Sequence, residues 1–201
     1  MQQDSYQTIN IASPEVLYKD KNSKFFGYAF PVINEEQVKE HLEQLKKQHY
    51  AARHFCYAYQ MGEENFIYRA NDDGEPNNSA GIPIYNQLLS YNVTNILVVV
   101  VRYFGGTKLG VSGLISAYKA TAQMTLEAAD IVKQTINKNF ILLFSYANLN
   151  KVMRIIKEQN YSIVSQEMGL DAQIEISVRK SLANNVQQVF KDLYEVTVIE
   201  K

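Results

Sequence analysis

The sequence predicts an α+β protein in two parts, and three observations predict it. Strand-like alternation and helix-like periodicity are interleaved without a regular βα rhythm. The unbroken aliphatic run Ile96 to Val101 marks a strand buried on both faces, at the centre of a sheet. After Gln134 the pattern changes, and the remaining segments read β-α-β-β-α-β.

The elements follow in order. Tyr6 to Val32 mixes strand alternation with turns at Ser13-Pro14 and Asp20-Lys21-Asn22-Ser23, and Phe25 to Val32 reads as a strand that stops at Pro31 for want of an N–H. Asn34 is placed to cap a helix, with Gln37 completing a capping box, and Val38, Leu42 and Leu45 give that helix one buried stripe. His54 to Gln60 and Phe66 to Ala70 form a hairpin about Gly62. A polar loop, Asn71 to Ala80, leads to a short helix around Ile84 to Leu89. Past the central strand, the glycine-rich segment Gly105 to Gly113 enters a long helix with Val111, Leu114, Ile115, Tyr118, Ala122, Leu126 and Ala129 on its apolar face.

Beyond a boundary near Lys133 to Lys138, Phe140 to Tyr146 is strand-like and Asn148 caps a helix carrying Leu149, Val152, Met153 and Ile156. Tyr161 to Met168 and Leu170 to Val178 are strands hinged at Gly169. Ser181 caps a helix with Leu182, Val186, Val189 and Phe190, and Glu195 to Ile199 is the last strand. This is the split βαβ, ferredoxin-like unit. The domains expected are therefore 1–134 and 135–201, the second with helices and strands enough to close its own core.

Composition removes several classes of function. With 46% hydrophobic residues and one cysteine, the chain is neither disordered nor stapled by disulfides. Its longest aliphatic run has six residues, against the roughly 20 that a bilayer requires, so no membrane partner is expected. No basic stretch followed by an apolar one opens the sequence, which points to the cytoplasm. The net charge is -1, with 12 basic and 14 acidic residues before position 135 and 8 and 7 after it. That lacks the footprint of a dedicated nucleic-acid binder, although a local basic groove remains compatible with it.

Three segments can carry chemistry. Arg69-Ala70-Asn71-Asp72-Asp73-Gly74-Glu75-Pro76 places three carboxylates within four positions, which could gather around a hard cation, but the spacing is that of no calcium loop. A solvated turn is the bland reading; the favoured one is a loop pinned beside Arg102 by backbone hydrogen bonds to Asp72 or Asp73, with Arg102 able to pair with Asp72, Asp73 or Glu75. Arg102-Tyr103-Phe104-Gly105-Gly106-Thr107-Lys108-Leu109-Gly110 joins the buried strand to the long helix. Its glycines bring backbone N–H groups to an anion at a helix N-terminus, and Arg102 and Lys108 add charge; equally, the glycines could serve only a tight turn. His54 and Cys56 share one face of a strand, where an imidazole could activate a thiol, although buried structural cysteines are the commoner case. His41 and His49 sit at a helix surface and a helix end without ligand spacing. Fourteen tyrosines and nine phenylalanines fall mostly at strand positions, where packing accounts for them. No cofactor fingerprint and no resident metal site is read.

The strings His54-Phe55-Cys56-Tyr57-Ala58-Tyr59, Asp72-Asp73-Gly74-Glu75-Pro76, Ala80-Gly81-Ile82-Pro83-Ile84 and Asn95 to Gly106, followed by Lys108-Leu109-Gly110 and Gly113-Leu114, resemble the IMPACT/YigZ family over most of residues 20 to 130. Asn71 stands where that family usually has Ser, Asn77-Asn78-Ser79 replaces Ser-Gly-Thr, and Val111-Ser112 lies within the glycine loop. The resemblance implies an N-terminal βαβ domain like those of a small-subunit ribosomal protein and of domain IV of elongation factor G. It also implies a C-terminal domain like domain V of that factor. Its eukaryotic members regulate translation by restraining a starvation-activated kinase through a ribosome-associated activator.

The reading that follows is a translation-linked regulatory or binding protein that contacts RNA, the ribosome or a ribosome-associated partner without catalysis. Its anion- or RNA-binding residues are Arg102, Tyr103, Gly105, Gly106 and Lys108. The other candidate site is His54, Cys56, Arg69, Asp72, Asp73 and Glu75. The rival is a metal-dependent enzyme acting on a phosphate-bearing small molecule through Asp72, Asp73 and Glu75, with His54 as general base. A pure protein-interaction module is the third reading. The oligomeric state is not legible.

Overall fold

Residues 4–191, 193 and 195–201 are described by a computed structural model, in which the chain divides into two units, residues 6–134 and residues 135–201 with Asp4 and Ser5. It is a mixed α+β architecture, as the segment pattern predicts. Among the described residues no helix is long and apolar enough to cross a membrane.

The first unit runs β1 (Ser5–Ile9), β2 (Val16–Asp20), β3 (Ser23–Pro31), α1 (Glu35–Gln48), β4 (His54–Met61), β5 (Ile67–Asn71), α2 (Gly81–Ser90), β6 (Ile96–Tyr103), α3 (Gly110–Ala128) and β7 (Ile131–Thr135). Five strands form one sheet in the order β2-β3-β6-β4-β5, and β1 pairs with β7. Lys21 and Asn22, at φ 42° and 65°, make the tight turn between β2 and β3. Both β3 and β4 run antiparallel to β6, so they are parallel to each other and α1 is their crossover, a split βαβ. This places β6 at the centre, where its aliphatic run belongs. Val98 and Val100 enter a core with α2 and α3, while Leu97, Val99 and Val101 enter a second core with α1.

Local chemistry sets the helix ends. Asn34 Oδ1 accepts the Gln37 N–H at 2.9 Å, and Gln37 Oε1 accepts the Ile33 N–H at 2.8 Å, a reciprocal cap displaced by one residue from the usual box. On α3 the buried positions are Leu114, Ala117, Tyr118, Thr121, Ala122, Thr125 and Leu126. Val111 and Ile115, expected on that face, are 52% and 38% exposed. Small residues take the sheet-facing positions instead, because α3 approaches so closely that a Cβ on Gly27 would stand 2.1 Å from Thr125 Oγ1.

The second unit runs β8 (Asn137–Phe144), α4 (Leu149–Glu158), β9 (Ser162–Met168), β10 (Ala172–Arg179), α5 (Lys180–Ala183), α6 (Val186–Phe190) and β11 (Val196–Glu200). The sheet order β11-β8-β10-β9, with every pairing antiparallel, is the ferredoxin-like arrangement. Phe140, Leu142, Val152, Ile156, Ile174, Ile176, Val186 and Phe190 close its core.

Two cap assignments are corrected. Asn148 precedes α4 but its side chain makes no capping bond; a 3-10 turn at Tyr146–Asn148 leaves it at φ -93°, ψ -4° instead of extended. Ser181 lies inside α5, and the single helix expected there is two short ones separated at Asn184 and Asn185.

Candidate functional site

Asp72 acts as the cap of a helix that begins nine residues later. The residue before α2 is Ala80, which has no side-chain acceptor. Asp72 Oδ1 accepts the N–H groups of Ala80 and Gly81 at 2.9 and 2.8 Å, and its Oδ2 accepts that of Asn78 at 2.8 Å. Three backbone donors at the start of a helix are thereby satisfied. The helix start lies so close to β5 that a Cβ on Gly81 would stand 2.5 Å from the Asn71 nitrogen. Asn78 takes φ 61°, a left-handed conformation that asparagine tolerates.

Asp73 ties the same loop to the sheet. Its Oδ2 accepts the Phe55 N–H at 2.7 Å, and its own N–H donates to Asn71 Oδ1 at 2.8 Å, a role that a hydroxyl at position 71 would also serve. The loop is pinned, not a solvated turn.

Beneath it lies a buried polar chain. Glu75, 8% exposed, points inward. Its Oε1 accepts Arg102 Nη1 at 2.6 Å and the Tyr118 hydroxyl at 2.8 Å. The Cys56 sulfur is 2.9 Å from the Asp72 carbonyl and 3.3 Å from the Tyr118 oxygen. Burial pushes the Cys56 thiol well above its ordinary range, and Tyr118 likewise. Cys56 is thus a protonated thiol held in a core, without the electropositive surroundings of a nucleophile. His54 does share its face, as the alternation predicts, but its Nδ1 lies 2.9 Å from the Asp73 carbonyl. A carbonyl only accepts, so Nδ1 carries a proton, and Nε2 is the nitrogen left without a hydrogen bond among the described residues.

Arg102 and Tyr103 are held by different partners. They alternate across β6. Arg102 lies opposite His54 in register and packs between Phe25 and Phe104, at 5.5 and 5.6 Å from their ring centres. Tyr103 turns to the α1 side, where its hydroxyl is 3.0 Å from His49 Nδ1. Arg69, on the edge strand, is opposite Tyr59 and makes no ion pair with the acidic loop among the described residues. The three carboxylates do not converge, and among the described residues no three His, Cys, Asp or Glu side chains gather as a metal site.

The glycine loop is fixed at one end and open at the other. Gly105 donates to Ser23 Oγ at 3.1 Å, and a Cβ there would stand 2.1 Å from the Asn22 carbonyl carbon. Gly106 and Gly110 have φ 86° and 75°, with nothing within 4 Å of an added Cβ. Lys108 is exposed between them, and α3 begins without a side-chain cap.

Sequence reasoning missed a second polar cluster, under α1. Tyr28 donates to Glu15, so its oxygen receives the His49 Nε2–H at 2.6 Å, and His49 Nδ1 accepts from Tyr103. Burial holds His49 below its usual range. These four residues lie far apart in the sequence, with no spacing to announce them.

Residues 21–126 match the family model for the Impact N-terminal domain. IMPACT family member YvyE of Bacillus subtilis is 31% identical over 94% of this chain and 87% of its own length. IMPACT family member YigZ of Escherichia coli is 29% identical over 79% of each. Human Protein IMPACT is 35% identical over 45% of this chain, which spans only 29% of that protein. A solved structure titled as that of a hypothetical protein aligns over 98% of this chain and 97% of its own, at a TM-score of 0.72 and 24% identity, and so shares the fold.

Proposed function

This chain belongs to the IMPACT family, and from that premise we propose that it is a translation-linked regulatory protein of the cytoplasm, binding RNA, the ribosome or a ribosome-associated partner without catalysis. The observation that carries the reading is the open half of the glycine loop. Exposed Lys108 sits beside the uncapped N-terminus of α3, where free backbone donors and the helix dipole favour an anion such as a backbone phosphate. Arg102, expected to share that role, is engaged by Glu75, so Lys108 and the backbone supply the charge and the donors.

The rival enzyme has less support. Its three carboxylates already accept hydrogen bonds from Asn78, Ala80, Gly81, Phe55, Arg102 and Tyr118, which leaves little ligand capacity for a divalent cation. Co-sedimentation with ribosomes across a salt series tests the proposal. A bound fraction that falls with salt supports it, and no bound fraction at the lowest salt overturns it.

A further inference from the structure

Where β4 begins and β6 ends, a cleft of about 320 Å³ opens between the α1–β4 connection and the glycine loop, lined by Ala51, Arg53, His54, Arg102, Tyr103 and Phe104. Two arginines and a histidine line it, and among the described residues no carboxylate does. Arg53 is exposed and has no ion pair among the described residues. The Arg102 side chain is only 7% exposed. Glu75 engages its Nη1, yet its Nε is buried without a hydrogen-bond partner among the described residues. A buried charged donor left unpaired is unfavourable, and each such group in a folded protein calls for a partner. His54 contributes a third polar atom: Nδ1–H is held by the Asp73 carbonyl, and Nε2 meets a phosphate either as the N–H donor of the imidazolium or as the acceptor of a phosphate O–H.

These three groups come from two strands and a connection, so they surround a tetrahedral anion better than they match the plane of a carboxylate. At the rim, Phe104 is 58% exposed while its ring lies 5.6 Å from the Arg102 guanidinium. An exposed aromatic face beside a cationic cleft is a stacking surface for a base. We infer that this cleft binds a nucleotide, with its phosphate among Arg53, His54 and Arg102 and its base against Phe104. The phosphate can belong to a free mononucleotide or to the phosphorylated end of an RNA. The inference does not rest on ribosome binding, and Lys108 lies outside the cleft lining.

The test is calorimetric titration of the full chain with adenosine monophosphate, adenosine and inorganic phosphate, and with a short oligoribonucleotide with and without a terminal 5′ phosphate. Adenosine monophosphate binds, and adenosine binds at least about tenfold more weakly, since losing a charge-assisted contact is worth about that factor or more. Arg53→Gln weakens the monophosphate by a similar factor, and Phe104→Ala weakens it while leaving inorganic phosphate unaffected. Both cleft variants alter exposed residues, so a thermal melt confirms the fold, whereas Arg102 variants risk unfolding. Tighter binding of the 5′-phosphorylated oligonucleotide than of the mononucleotide identifies RNA ends as the source, and equal or weaker binding identifies free nucleotides. Failure of both to bind, or binding indifferent to Arg53→Gln, overturns the inference.

Discussion

Arg102 Nη1 donates to Glu75 Oε1 at 2.6 Å, with both side chains less than a tenth exposed. The pair joins the two most distinctive strings of the sequence, the acidic loop and the Arg-Tyr-Phe-Gly-Gly segment, and the Tyr118 hydroxyl donates to the same carboxylate oxygen. Removing one partner leaves a buried charge alone, so Glu75→Gln and Arg102→Met should each destabilise the N-terminal unit by about 3–5 kcal/mol. The double variant should lose less than the two single losses combined. Urea denaturation checks this, and unchanged midpoints in both single variants would contradict it.

Asp72 and Asp73 are adjacent but unequal. Asp72 satisfies three backbone donors at the start of α2, Asp73 one at the start of β4. Asp72→Ala should therefore cost about 2–3 kcal/mol and Asp73→Ala about 1 kcal/mol, from the loss of caps and of buried donors' partners. Equal shifts of the denaturation midpoint would show that the cap at α2 does not hold the loop.

His49 gives the first unit an acid sensitivity. Burial holds its folded pKa below the ordinary 6.5, so the unfolded chain binds the proton more readily. The stability of the neutral form is fully present above the unfolded value and falls as pH drops through the folded one. His41, also lowered by burial, acts with the same sign. The denaturation midpoint should thus decline below about pH 6.5. His49→Gln should flatten that decline while lowering stability at neutral pH, because it disturbs the bonds to Tyr28 and Tyr103. A pH profile identical to that of the wild type would rule out His49 as its source.

Most of the fold was legible because it rests on periodicity. The aliphatic run of β6, the stripe of α1 and the alternation of β4 each name their own neighbours. What escaped depends on distant pairing. The sequence offers Asp72, Asp73 and Glu75 alike as partners of Arg102, and only the fold singles out Glu75, while nothing in the spacing near Val111 shows that Ala117, Thr121 and Thr125 face the sheet. The candidate site was legible in its parts but not in its assembly. Arg102 and Tyr103 stand side by side in the sequence but alternate across β6, so each is held by a different partner, Glu75 and His49. The cluster of Glu15, Tyr28, His49 and Tyr103 left no trace, because each residue is unremarkable where it stands.

The central claim, that the open glycine loop makes a phosphate contact in a translation-linked complex, is tested most directly with Lys108→Ala. The measurement is ribosome co-sedimentation of the variant and the wild type across a salt series, beside a thermal melt that shows the fold intact. Loss of one phosphate contact should weaken binding and reduce the log–log salt slope by about 0.7–0.9. Affinity and slope both equal to those of the wild type would contradict the claim.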